Sequence, residues 1–327
     1  MLRWNQVSDL PADLGPTAVT IGTFDGVHRG HRAVLSALNS QAASRGLTSV
    51  AITFAQHPLA VLRPEDAPEM VCSTSQRLDR MADSGLGGVL VLDFTAEFAQ
   101  LSPREFVQQV IVEGLHARAV ILGSDSRFGH RNAGDVETMR ALGEEFGFET
   151  VVLDDVGVCA GSEAAVQRWS SSMTRDFLAR GEVGEAAKVL GRPHVVSGEV
   201  VHGDHRGREL GYPTANLSTD SEGLVPADGV YAGWLIRPGM PVGSTERMLP
   251  TAISVGTNPT FEGTQRRVEA YVLDRTDLDL YGERVNVEFV KMLRPTLKFD
   301  SVEELLECME QDVAQTRQIL SSVVPSV

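Results

Sequence analysis

"TIGTFDGVHRGH", residues 20–31, is where an apolar run hands over to a helical pattern, and its reading decides the fold. Upstream, "TAVTIG" (17–22) is rich in β-branched and small residues and reads as a buried strand ending at Gly22. Downstream, "HRAVLSALNSQAASRG" (31–46) carries apolar residues at helical spacing and stops at Gly46, a C-terminal helix signal. A helix that follows a strand across a glycine-loosened turn points its unpaired N–H groups back at the strand's carboxyl end. That geometry accepts a phosphate without any basic residue. His28 and His31 are three apart and share a face if the helix starts by residue 28. Neutral imidazole donors placed there can follow charge as it builds on a phosphate. Capping the helix or packing structurally is the plainer use of the same two rings.

The rhythm continues through the first half. "TSVAITF" (48–54), "GVLVLDF" (88–94), "RAVILG" (118–123) and "TVVLDDV" (150–156) read as apolar strands. Helical patterns around "TSQRLDRMADSG", "SPREFVQQVIVEGL" and "DVETMRALGEEFG" separate them, the second opening on a capping box of Ser102 and Glu105 with Pro103 between. Continuous apolar strands alternating with helices predict a parallel sheet covered on both faces, with ligands at the carboxyl ends of its strands. Both "GTFDGVHRGH" and "GSDSRFG" (123–129) fall there. After "GRPHVV" the segments become β-like: "HVVSGEVV", "GVYAGWLI", "PTAISVG", "RVEAYVLD" and "RVNVEFVKML", spaced by turn residues, which predicts an antiparallel barrel or sandwich. A last helix runs from Ser301 to about Leu320, with Ser301 and Glu304 as a capping box and Leu305, Leu306, Met309, Val313 and Leu320 as its packing face. The domain boundary is expected between 184 and 194, giving domains 1–186 and 187–327.

Composition supports two globular domains: 327 residues, 42% hydrophobic and 22% charged. Net charge is −15, and a division after Lys188 leaves 16 basic against 24 acidic residues before it and 13 against 20 after it. With no basic stripe, the charge balance disfavours long-range attraction to nucleic acid or an anionic membrane, and a polyanion must be held by local devices. Cys72, Cys159 and Cys308 lie far apart, which argues against a disulfide framework or zinc site and suits a reducing cytosol. "MLRWNQVSDLPADLG" lacks the apolar core of a signal peptide, and no apolar run approaches the ~20 residues of a membrane span, so a cytoplasmic protein is expected.

A second cluster of unusual residues opens the second half, in "VVHGDHRGRELGYPTANL" (200–217). Gly203, Gly207 and Gly211 punctuate a polar loop that can bring backbone N–H groups against phosphate oxygens, although ordinary turns use glycine too. Thr214 and Asn216 flank Ala215 and point the same way in an extended segment. A hydroxyl and an amide carbonyl side by side make a seat for Mg²⁺ that keeps its waters and phosphate ligands. In "RRVEAYVLD", Glu269 shares a face with Tyr271 and Leu273, opposite Val268, Ala270 and Val272. A mid-strand carboxylate among apolar neighbours needs a partner or a task, and pairing with a nearby arginine is the alternative.

"GTFDGVHRGH" resembles the H-x-G-H signature of the nucleotidyltransferase superfamily, in the form found in bacterial FAD synthetases. "TFAQHP" (53–58), "GSDSRFG" and "SSSMTR" (170–175) resemble further segments of that family in the same order, with Ala55, Gln56, Ser126 and Ser172 as departures. The resemblance implies a Rossmann-like α/β adenylyltransferase domain with His28, His31 and Arg175 catalytic. It implies ATP contacts from Gly22, Phe24, Asp25, Gly26, Gly30, Asp125, Ser171 and Ser172, and a flavin side formed by Phe54, His57, Pro58 and Phe128. "GYPTANL" is similar to the P-T-A-N motif of riboflavin kinases, and "GVYAGW", "SVGTNPTF" and "VEAYVLD" follow in that family's order. This implies a six-stranded Greek-key antiparallel barrel with a terminal helix. Mg²⁺ would sit on Thr214 and Asn216, ATP on these two with Gly203, Gly207 and Gly211, and Glu269 would be the base. Together the resemblances imply an enzyme that makes FMN from riboflavin and ATP, then FAD from FMN and a second ATP. Its partners would be those small molecules. Alternatives are a kinase with a weakly adenylylating first domain, a non-catalytic flavin sensor, and a phosphopantetheine or nicotinate nucleotide adenylyltransferase, which leaves "GYPTANL" unaccounted for.

Overall fold

A computed structural model describes residues 1–153, 169–203, 210–260 and 263–323. The chain divides into two units, Met1–Ser170 and Ser171–Val327. In the first, six strands form one parallel sheet: β1 (Leu2–Trp4), β2 (Thr17–Ile21), β3 (Thr48–Phe54), β4 (Gly88–Leu92), β5 (Ala117–Gly123) and β6 (Glu149–Leu153). Their order is β1-β4-β3-β2-β5-β6. The chain therefore winds from β2 through β3 to β4 on one side, then crosses to β5 and β6 on the other. The direction reverses between β2 and β5, which pair through Thr20 and Ile121. A crevice opens at the carboxyl ends of strands at such a switch point.

Strand residues alternate between two cores, one on each face. Val19, Ile52, Leu90 and Val120 join one; Ala18, Ala51, Val89 and Ile121 join the other, with Leu35 and Leu38 of the helix Arg29–Arg45. Fully burying such a leucine contributes roughly 1.5–3 kcal/mol. The predicted strands and helices of this half fall at their expected places, and the Ser102–Glu105 capping box forms in both directions. Two features differ. The edge strand β1 pairs in parallel with β4 although three residues carry no periodicity. The helix that begins at Pro103 continues as a π-helix over Val107–Gly114. Residues 154–156 of "TVVLDDV" and Cys159 lie outside the described residues.

The second unit is a closed antiparallel barrel of β7 (His194–Val201), β8 (Thr214–Leu217), β9 (Gly229–Ile236), β10 (Met248–Thr260), β11 (Gly263–Val272) and β12 (Arg284–Arg294). The order around it is β10-β11-β8-β7-β12-β9. Alternate residues Val285, Val287 and Phe289 are fully buried, and Tyr231 packs edge-on against Phe289. The division between units falls ahead of the expected limit at 186. Helices Ser171–Ala179 and Val183–Leu190 belong to the barrel unit: Ala227 donates its N–H to Leu178 O at 2.9 Å, and the second helix lies on β12. The terminal helix Val302–Leu320 starts as predicted, with Ser301 accepting from Glu304 N at 3.1 Å. Glu304, however, accepts from Asp300 N rather than from Ser301, so only half of the expected box closes.

Candidate active sites

In the first unit, the turn after β2 is built from left-handed backbone. Phe24, Gly26 and Val27 have φ of 50°, 73° and 41°. A β-branched valine is strained there and persists only when its surroundings over-determine it. Asp25 does much of that work. Its carboxylate, 1% exposed, accepts from Val71 N at 3.0 Å and Cys72 N at 3.3 Å, while Gly26 N donates to Cys72 Sγ at 3.2 Å. Phe24 turns into the core and meets His31 edge-on at 5.2 Å.

The chain then delivers His28 as the N-cap of Arg29–Arg45. Its Nδ1 accepts from His31 N at 3.3 Å, which leaves the proton of the neutral ring on Nε2. The two imidazoles stack, centroids 3.6 Å apart and planes 21° from parallel. Two imidazolium charges at that separation would repel. Burial first, then His28 and the Arg77 cation, holds His31 well below its ordinary pKa. Gly30 permits this packing, since a β-carbon there would stand 3.1 Å from His28 Cε1. The capping use of His28 is thus the one the geometry displays, and it engages Nδ1.

Of the other predicted residues, Gly22 closes β2 by donating to Ile52 O at 3.1 Å, and Asp125 follows the end of β5 across the switch point. Phe54 and Phe128, 8% and 5% exposed, are interior members of an aromatic chain. Phe54 meets Phe94 at 5.4 Å and Phe98 at 6.3 Å; Phe98 meets Phe106, and Phe106 meets Phe128 at 6.1 Å. Sequence reading missed Phe94, Phe98 and Phe106, which carry no motif. His57 Nδ1 accepts from Leu59 N at 3.2 Å beside Pro58, at the start of a short helix. Ser171, Ser172 and Arg175 occupy the first turns of Ser171–Ala179, in the other unit.

In the barrel unit, register brings the second cluster together. Glu269 pairs with Asn216, and Tyr271 with Thr214, across β11 and β8. Thr214 Oγ1 donates to Glu269 Oε2 at 3.4 Å, and Asn216 Nδ2 donates to Thr214 O and Oγ1 at 3.2 and 3.3 Å. That turns the amide nitrogen inward and leaves Oδ1 for a cation or donor. No cation pairs with Glu269 among the described residues. A hydroxyl, an amide oxygen and a carboxylate on adjacent strands are the hard oxygens that Mg²⁺ prefers. Gly203 makes room for them, because a β-carbon would lie 2.6 Å from the Asn216 amide. Gly211 has φ of 85°, and Gly207 lies outside the described residues.

Thr214 is a wall shared by two cavities. One, of about 270 Å³, is lined mostly by apolar groups including Ile253, Tyr271, Leu305 and Met309, with Glu269 at its edge. Arg294 closes it through a bidentate pair with Asp312, at 3.0 and 2.8 Å. The other, of about 50 Å³, is lined by Pro213, Arg275 and Tyr281 among others, and His202 stacks on Tyr281 at 3.9 Å. Sequence reading singled out neither His202, Tyr281 nor the Arg294–Asp312 pair.

The chain thus carries two clusters of polar side chains, one of stacked imidazoles in the α/β unit and one of hard oxygens in the barrel unit. The family model described as FAD synthetase matches residues 10–165, and that described as riboflavin kinase matches residues 190–320. A protein of Escherichia coli K12 named bifunctional riboflavin kinase/FMN adenylyltransferase is 33% identical over 308 residues, 94% of each chain. One of the same name from Listeria monocytogenes is 33% identical over 93% of each. The chain belongs to the bifunctional riboflavin kinase/FMN adenylyltransferase family. Among solved structures, a Streptococcus pneumoniae chain titled macrolide-efflux protein is 30% identical, with a TM-score of 0.84 over 97% of this chain and 98% of that one. Among the described residues no helix is long and apolar enough to cross a membrane.

Proposed function

We propose that the barrel unit phosphorylates riboflavin to FMN and the α/β unit adenylylates FMN to FAD, each with its own ATP. The observation that carries the kinase half is Thr214, with Glu269 and Asn216 around it, standing between a large apolar cavity and a small polar-edged one. The apolar cavity suits the isoalloxazine ring of riboflavin, whose ribityl chain carries the primary hydroxyl to Glu269. Glu269 takes the hydroxyl proton as the oxygen attacks the γ-phosphorus, and ADP leaves. Mg²⁺, held by Thr214 and Asn216, would neutralise charge on the phosphates.

In the α/β unit the FMN phosphate is already an anionic nucleophile. Its oxygen bonds to the α-phosphorus of ATP as the α–β bridge breaks and pyrophosphate departs. His28, donating through Nε2–H, and neutral His31 stabilise the charge that builds there. Asp25 and Phe24 shape the turn, while Gly22, Gly26 and Gly30 let the phosphates approach. Scattered cysteines and the acidic surface fit the cytoplasm.

A product assay with riboflavin, ATP and Mg²⁺ tests both halves. His28→Ala is expected to stop at FMN. Glu269→Gln is expected to make nothing from riboflavin while converting supplied FMN to FAD. Either variant performing both steps at the parental rate removes the role given to that residue.

A further inference from the structure

Arg77, in the helix Thr74–Ala82, is 0% exposed, and apart from its effect on His31 its charge has no part in the chemistry above. Burying a guanidinium is costly, and an apolar side chain of similar volume would avoid that cost. Its bonds go mainly to backbone. Nη1 donates to Thr23 O at 2.9 Å; Nη2 donates to Phe54 O and to Thr74 Oγ1. Thr74 Oγ1 in turn donates to Ala55 O at 2.8 Å. Nε is buried with no acceptor among the described residues.

Thr23 is the residue after Gly22, where the left-handed turn to His28 begins, and Phe54 ends β3. The guanidinium fork therefore fixes the root of the histidine turn against the neighbouring strand. The same helix's lead-in grips the other side of the turn, since Val71 and Cys72 donate to Asp25. We infer that Arg77 is a positioning residue for adenylyl transfer, locking the turn that presents His28 and His31; this rests on the reading that these histidines serve that reaction. Its positive charge also weighs against protonation of His31, which keeps that ring a neutral donor.

Lysine keeps the charge but cannot span two diverging carbonyls, and methionine keeps only bulk. The test uses Arg77→Lys, Arg77→Met and His28→Ala in the full chain, with riboflavin phosphorylation by the other unit as an internal reference. FAD formation from FMN is expected to lose about tenfold in kcat with lysine and about 100-fold with methionine, as misplaced catalytic groups do. KM for ATP is expected to stay within about twofold and the kinase rate unchanged, because Arg77 is fully buried and lies outside the barrel unit. If the methionine variant fails to fold, the lysine variant decides. A folded Arg77→Lys protein with parental kcat, a rise in KM alone, or a matching fall in kinase rate overturns the inference. His28→Ala separates the two failures. Parental FAD formation there defeats the histidine assignment, whereas loss there with parental kcat in Arg77→Lys defeats only the positioning role.

Discussion

Replacing Gly203 by alanine probes the kinase centre through its tightest packing. A β-carbon at 203 would stand 2.6 Å from Cγ, Oδ1 and Nδ2 of Asn216. Ordinary contacts between heavy atoms lie near 3.5–4.0 Å, so the amide must retreat by about 1 Å. Gly203 is outside the left-handed region, and its backbone accepts alanine. The strain therefore falls on Asn216, which loses its bonds to Thr214 O and Oγ1. A misplacement of about 1 Å costs on the order of 100-fold in rate, or about 2.7 kcal/mol of transition-state stabilisation. Steady-state assays should show that loss in riboflavin phosphorylation, with FMN adenylylation by the same protein at the parental rate. The double variant Gly203→Ala/Asn216→Ala should be no slower than Asn216→Ala, since both changes act through one amide. Parental kcat in Gly203→Ala, or losses that multiply in the double variant, would refute the packing account.

His194 is buried in the barrel, its Nε2 2.6 Å from Leu224 O, and burial lowers its pKa to about 4. The folded state therefore binds no proton there where the unfolded chain does. Stability is fully present above pH ~6.5 and falls toward pH ~4 by roughly 3 kcal/mol. Urea titrations across that window should show the slope, flattened by one proton in His194→Gln; an unchanged slope contradicts the assignment. Asp312→Ala strips a half-buried Arg294 of its carboxylate, the two side chains being 7% and 19% exposed. Removing one partner of such a pair costs about 3 kcal/mol. Both residues line the large cavity, so the urea midpoint of kinase activity should fall and KM for riboflavin should rise. A parental midpoint would make the pair incidental.

Much of this molecule is written locally. Apolar runs against helical spacing define β2 to β5 and the helix after Gly22. Alternation around Ala215 and Ala270 puts Thr214 with Asn216 and Glu269 with Tyr271. Both follow from the periods of strand and helix, which any short window reveals. The sequence alone thus determined the two kinds of unit, the histidine turn and the carboxylate strand. Which element lies beside which was decided only on closure. The order β1-β4-β3-β2-β5-β6 puts the reversal of winding beside β2, the strand that leads to His28, and the β8–β11 register brings Glu269 to Thr214. Arg77 reads as one more polar position on an amphipathic helix until its partners Thr23 and Phe54 arrive from other strands. Asp25 reads as an ATP contact, by resemblance, until Val71 and Cys72 take its oxygens. Long-range pairing chooses a side chain's partners, and no periodicity carries that choice; hence the elements and their motif residues were legible early and the groups that hold them in place were not.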